Sequence, residues 1–135
     1  MNNLVYINKR GYRVDFSWLD DFTKVVSKKF KIKKEISIAI LSPLEIKKLN
    51  KIYRQKNKVT DVLSFNLDDE KILGEIVICL EQAKKQAKEK KISLQAELKL
   101  LVVHGTLHLL GYDHEVSEVE AERQEKEEKL LLNKF

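Results

Sequence analysis

One proline, four glycines and one cysteine are all that 135 residues hold of the residue types that punctuate or staple a chain. So little glycine and proline excludes a flexible linker or low-complexity segment, and no internal repeat is visible. A lone thiol excludes an internal disulfide. Cys79 sits in the apolar stretch GEIVICL and reads as a buried strand residue in a reducing compartment. No apolar run approaches the length of a membrane span, and the N-terminal MNNLVYINKRGYRVD has no continuous apolar core. The expectation is a cytoplasmic protein without a membrane partner. Histidine is scarce too: there are three, and all lie in VHGTLHLLGYDH, residues 103–114.

What is present describes an ordinary globular chain. Hydrophobic residues make up 43% and charged residues 35%, and the length suits one domain, 1–135, with a core that needs no staple. The net charge of +5 is uneven, because residues 1–112 carry 22 Lys/Arg against 13 Asp/Glu and residues 113–135 carry four against eight. A basic body of this kind attracts polyanions, RNA above all, by releasing their counterions. A lysine-rich solvated surface gives the same count, so charge alone does not choose.

The pattern along the chain predicts an α+β domain: a small mixed sheet of about four strands, about five helices, and a histidine-bearing helix in the core. NLVYIN (3–8) reads as a strand, and residues 16–30 as a helix with Phe16, Leu19, Phe22, Val26 and Phe30 at helical spacing. EISIAIL (35–41) alternates as a sheet strand does. SPLE (42–45) is a capping box with proline at the first helical position, opening a helix from Pro43 to about Tyr53. A polar basic loop (54–61) leads to a hairpin of VLSF and ILGEIVICL. A charged surface helix (81–91) and a second helix (93–111) follow, the latter apolar around most of its circumference from Leu100 to Leu110. SEVE (117–120) opens an acidic last helix.

His104 and His108 are four apart, so one helix face presents both imidazoles to one point. Gly111 stands where a left-handed cap turns the chain, which brings His114 back toward that point. H-x3-H-x2-G-x2-H is the spacing of the metzincin zinc site. Three imidazoles with no fourth protein ligand leave a coordination position open, the pattern of a catalytic metal, and zinc is favoured although nickel, copper and iron also accept imidazole. In H-E-x-x-H proteases a glutamate beside the first histidine is the general base. Here that position is Gly105, which disfavours peptide hydrolysis by that route. Two explanations of Gly105 stand: close approach of a bulky substrate, or relief of crowding against a neighbouring strand.

Two segments, HGTLHLLGYDH (104–114) and LNKIYRQKNKVTDVLSF (49–65), resemble the signature elements of the bacterial YbeY-type endoribonucleases, metal-dependent rRNA maturation factors. The likeness covers roughly residues 42–130. It implies a zincin-like single-domain α+β fold, one zinc ion on His104, His108 and His114, an arginine important for function at Arg54, and action near the 3′ end of the small-subunit rRNA. It also implies a part in ribosome quality control, with small-subunit proteins and an assembly GTPase as further partners and no role for DNA. Val59, Glu75 and Gln124 depart from the family pattern, which places loop geometry and packing in question more than chemistry.

From the residues themselves, Arg54 can hold a phosphate bidentately, with Lys56 and Lys58 beside it as substrate-binding cations. Asp113 can orient a ligand histidine or serve as a base, and Asp61 can order the loop, although turn capping suits both aspartates better. Two lysine runs, 28–34 and 84–91, are RNA-contacting surfaces or solvated faces, the second more in keeping with a solvated face. The residues leave open whether water or the RNA 2′-hydroxyl attacks. Two other readings stand beside the nuclease: a metallopeptidase-like hydrolase lacking the usual glutamate, and a non-catalytic RNA-binding assembly factor with a structural metal.

Overall fold

A computed structural model describes residues 5–112 and 117–134. Its elements run β1 (Val5–Asn8), α1 (Leu19–Phe30), β2 (Glu35–Leu41), α2 (Pro43–Arg54), β3 (Val62–Asn66), β4 (Ile72–Cys79), α3 (Leu80–Lys90), α4 (Leu94–Leu109) and α5 (Glu118–Leu132). The sheet order is β1-β2-β4-β3. β1, β2 and β4 are parallel, while β3 pairs antiparallel with β4 through the hairpin and forms an edge. The fold class is thus α+β with a mixed four-stranded sheet, as the pattern predicts. No helix among the described residues is long and apolar enough to cross a membrane.

Strand alternation divides the core between the two faces of the sheet. Ile36, Ile38, Ile40, Ile76 and Ile78 pack with α1 and α4 residues such as Phe22, Val26, Leu98, Val102 and Leu107. On the other face Val77, Cys79 and Leu63 pack with Ile46 of α2. Cys79 is fully buried, and that burial pushes its thiol pKa up, so it stays a protonated apolar group.

Local signals position the site. Ser42 accepts the Glu45 N–H at 3.2 Å while the Glu45 carboxylate accepts the Ser42 N–H at 3.1 Å, so α2 begins at Pro43. At its far end, fully buried Asn50 donates from Nδ2 to the Lys58 carbonyl at 3.0 Å, which ties the following loop back onto the helix. α4 starts at the Ser93 cap and is buried along Leu98, Leu101, Val102, Val103 and Leu107. It ends in a Schellman turn: the Tyr112 N–H reaches the Leu107 carbonyl and the Gly111 N–H the His108 carbonyl, both at 3.0 Å, with Gly111 at φ +98°. Tyr112 is then fixed by an edge contact with Phe30, 6.4 Å between centroids, and by Arg123, whose Cζ is 4.5 Å from its ring centre.

One boundary differs from expectation. The first helix starts at Leu19, three residues later than the periodicity of Phe16 places it. Asp15 Oδ1 accepts the Ser17 N–H at 2.8 Å and the Phe16 carbonyl accepts the Leu19 N–H, so residues 15–18 form a turn. Phe16 is buried beside Trp18, 5.6 Å between ring centroids, because the turn tucks it in and not because a helix presents it.

Candidate active site

A cleft of about 260 Å³ opens where α2, β3, α3, α4 and α5 meet; Arg54, Asp61, Ser64, Lys90, His104, His108 and Glu128 are among its lining residues. His104 and His108 are the partly exposed residues of the otherwise buried run 101–109 of α4, their ring centroids 4.8 Å apart and their planes inclined by 58°. The i, i+4 spacing thus brings the two imidazoles to one place. Arg54, the last residue of α2, faces the same cleft and makes no ion pair among the described residues. Lys56 and Lys58 are exposed on the adjoining loop and are not among the residues that line the cleft. His114 and Asp113 lie outside the described residues.

Glu128 of α5 supplies what the sequence pattern does not announce. Its Oε1 is 2.6 Å from His104 Nδ1 and also accepts from Gln124 Nε2 at 3.2 Å. An Nδ1–H donated to this carboxylate fixes the tautomer and leaves Nε2 of His104 with its lone pair. That is how a metal-binding histidine is commonly oriented, so the donor set fits a divalent cation of the zinc class. Among the described residues no group of three His, Cys, Asp or Glu that can hold a metal is found, and the third expected ligand, His114, lies outside them. Gln124, a departure from the family pattern, is almost fully buried with its Nε2 3.1 Å from His104 Nδ1, so it touches the site and not packing alone. The capping serine at 117 and the acidic run of α5 announce a helix, but not that its fourth turn reaches α4.

The two explanations of Gly105 are separated by the packing. Gly105 is buried, and a Cβ built on it would lie 3.0 Å from Ser64 Oγ and 3.1 Å from Cδ1 and Cγ2 of fully buried Ile76. The glycine lets α4 press against β3 and β4. A glutamate there, as in the protease motif, would run into the sheet, so substrate approach is not what the missing side chain serves.

Asp61 acts as a cap. Its Oδ1 accepts the Val62 N–H at 2.8 Å and the Thr60 hydroxyl at 3.3 Å, while Oδ2 accepts from Gln86 Nε2 at 3.1 Å. The loop 55–61 is therefore anchored to both α2 and α3. Lys90, from the second lysine run, lines the cleft and places Nζ 2.8 and 3.0 Å from the two carboxylate oxygens of Glu97, whose side chain is completely buried. Neither the Lys90–Glu97 pair nor its link through Gln86 to Asp61 was legible in the lysine run.

The family model described as Endoribonuclease YbeY matches residues 6–135. Endoribonuclease YbeY of Aquifex aeolicus is 47% identical over 105 residues, 75% of this chain and 70% of that protein. Its counterpart in Staphylococcus carnosus is 36% identical over 132 residues, 89% of this chain and 86% of that protein. The solution structure of TM1509 from Thermotoga maritima superposes with a TM-score of 0.64 at 29% identity, covering 96% of this chain and 89% of that one. A match along nearly the whole length, with an arginine and two histidines meeting in one cleft, makes this chain a member of the YbeY endoribonuclease family.

Proposed function

We propose that this chain is a metal-dependent endoribonuclease that cuts single-stranded RNA in the maturation of the small-subunit rRNA 3′ end. Family membership carries RNA cleavage. The observation that supports the location best is the His104–His108 pair, 4.8 Å apart, in a cleft that also holds Arg54.

One zinc ion, or another divalent cation, would be held by His104, His108 and His114. When bound it supplies Lewis-acid polarisation of a phosphoryl oxygen and a lowered pKa for water. The remaining tasks fall to the chain. Glu128 holds the His104 ring in register. Arg54 presents a planar fork to the scissile phosphate and stabilises charge that develops on its oxygens. Lys56 and Lys58 draw the RNA backbone toward the cleft, and Asp113, next to His114, orients that ligand or takes a proton. The same reading places the protein in the cytoplasm, in ribosome quality control, with small-subunit proteins and an assembly GTPase as partners.

The experiment is cleavage of a labelled transcript carrying the small-subunit 3′ end by wild type, Arg54→Ala and chelator-treated protein. Chelation should abolish cleavage and added zinc restore it, and Arg54→Ala should slow it about 100-fold or more, the cost of losing one donor to a transition-state oxyanion. Binding of uncut transcript would favour the non-catalytic assembly factor. Chelator-sensitive peptide hydrolysis without RNA cleavage would favour the metallopeptidase.

A further inference from the structure

A second cavity, of about 540 Å³, adjoins the histidine cleft and shares Arg54 and Ser64 with it. Its lining includes two aromatic rings and one carboxylate. Tyr53 of α2, 64% exposed, meets Phe65 of β3 edge to face with ring centroids 5.0 Å apart. Glu75 of β4, the cross-strand partner of Phe65, lines the same cavity and is only partly exposed. Exposing a tyrosine this fully beside a partly buried phenylalanine leaves apolar area in water that no described element covers. Arg54, which lines the cavity, is exposed, and Lys51, Lys56 and Lys58 are exposed within four residues of it in sequence.

We propose that this cavity is a nucleobase subsite: one unpaired base of the RNA strand stacks on the exposed face of Tyr53, with Phe65 beside it, while the adjoining phosphate rests on Arg54, at the entrance to the histidine cleft. The assignment rests on the endoribonuclease reading and adds to it where a flanking base goes and which base is preferred. A phosphodiester strand suits Arg54 and the exposed lysines that flank it in sequence, and a flat π-face suits the exposed ring of Tyr53 whatever the base sequence. Glu75 adds a choice, because an ionised carboxylate only accepts hydrogen bonds. It favours a base with an exocyclic amine, such as cytosine, over uracil, which has none. Arg54 then serves both cavities, because the scissile phosphate it holds adjoins the nucleotide whose base is stacked.

The test is fluorescence anisotropy with end-labelled, 2′-O-methylated single-stranded oligo(C) and oligo(U), in which the 2′-hydroxyl route is blocked, and an abasic strand of equal length, with every strand checked on a gel to be intact after binding. Wild type should bind oligo(C) more tightly than oligo(U), and both more tightly than the abasic strand. Tyr53→Ala should weaken oligo(C) binding roughly tenfold, in line with the loss of one stacked base, and leave abasic binding unchanged. Tyr53→Phe should bind as wild type. Glu75→Gln should erase the difference between oligo(C) and oligo(U), because an amide can serve either base. If Tyr53→Ala binds all three strands as wild type does, the subsite is overturned and the nuclease reading stands. If the base preference survives Glu75→Gln, the role of Glu75 falls alone. If wild type binds none of the strands, the endoribonuclease reading fails and the subsite with it.

Discussion

Glu128 Oε1 lies 2.6 Å from Nδ1 of His104, a contact between residues 24 apart in sequence that joins α5 to α4 at one of the proposed metal ligands. Glu128→Gln removes the negative charge that orients and polarises the ring. We expect zinc affinity to fall by about 10- to 100-fold, the usual cost of losing such a partner, with far-ultraviolet dichroism unchanged. Competition with a chromogenic chelator measures it. Wild-type affinity in this variant would mean that Glu128 has no part in holding the ring.

Gly105 is where α4 meets the sheet, and a branched side chain there has nowhere to go. Gly105→Val should destabilise the fold by about 1–3 kcal/mol through overpacking against Ile76 and Ser64. Urea denaturation reads this as a lower midpoint at unchanged slope. An unchanged midpoint would show that α4 can stand away from β3 and β4.

The Lys90–Glu97 pair makes a directional prediction. Lys90→Met leaves the buried Glu97 carboxylate with Gln86 as its remaining side-chain donor among the described residues. Lys90 is half exposed, so water replaces part of what is lost and the cost should be about 1–3 kcal/mol. Adding Glu97→Leu removes the stranded charge and should recover most of the loss. A double variant no more stable than the single one would argue against this.

Ser42 and Glu45 test the capping box. Ser42→Ala should cost about 1 kcal/mol. The Arg10 guanidinium, 2.6 Å away, and then the Ser42 N–H hold the Glu45 carboxyl below its ordinary pKa. A pKa depressed by folding contributes stability that is present above the unfolded value and is lost as pH falls through the folded one. The difference in Tm between wild type and Glu45→Gln should therefore be widest near neutrality and close on acidification below the usual carboxylate range. A gap that widens in acid would contradict the sign.

These residues also show what the sequence made legible. SPLE announces α2 because every contact of a capping box lies within four residues, and H-x3-H announces a shared face because helical geometry is local. Gly111 likewise turns the chain as its position after α4 requires. The carboxylate on His104, the strand against Gly105 and the lysine over Glu97 arise from the docking of α5, β3 and α3 on α4, and no spacing along the chain encodes those distances. Phe16 misled for a related reason. Burial at helical spacing is also produced by a turn that folds a ring under Trp18.

In the proposed function His104, His108 and His114 together hold one metal ion on which RNA cleavage depends. Metal content per chain, measured by elemental analysis on wild type and on each of His104→Ala, His108→Ala and His114→Ala, with cleavage of one labelled RNA assayed on the same preparations, tests it most directly. About one zinc-class ion per wild-type chain is expected, with parallel loss of metal and cleavage in all three variants. Full cleavage by a variant that has lost its metal, or a metal retained without any one of the three imidazoles, would contradict it.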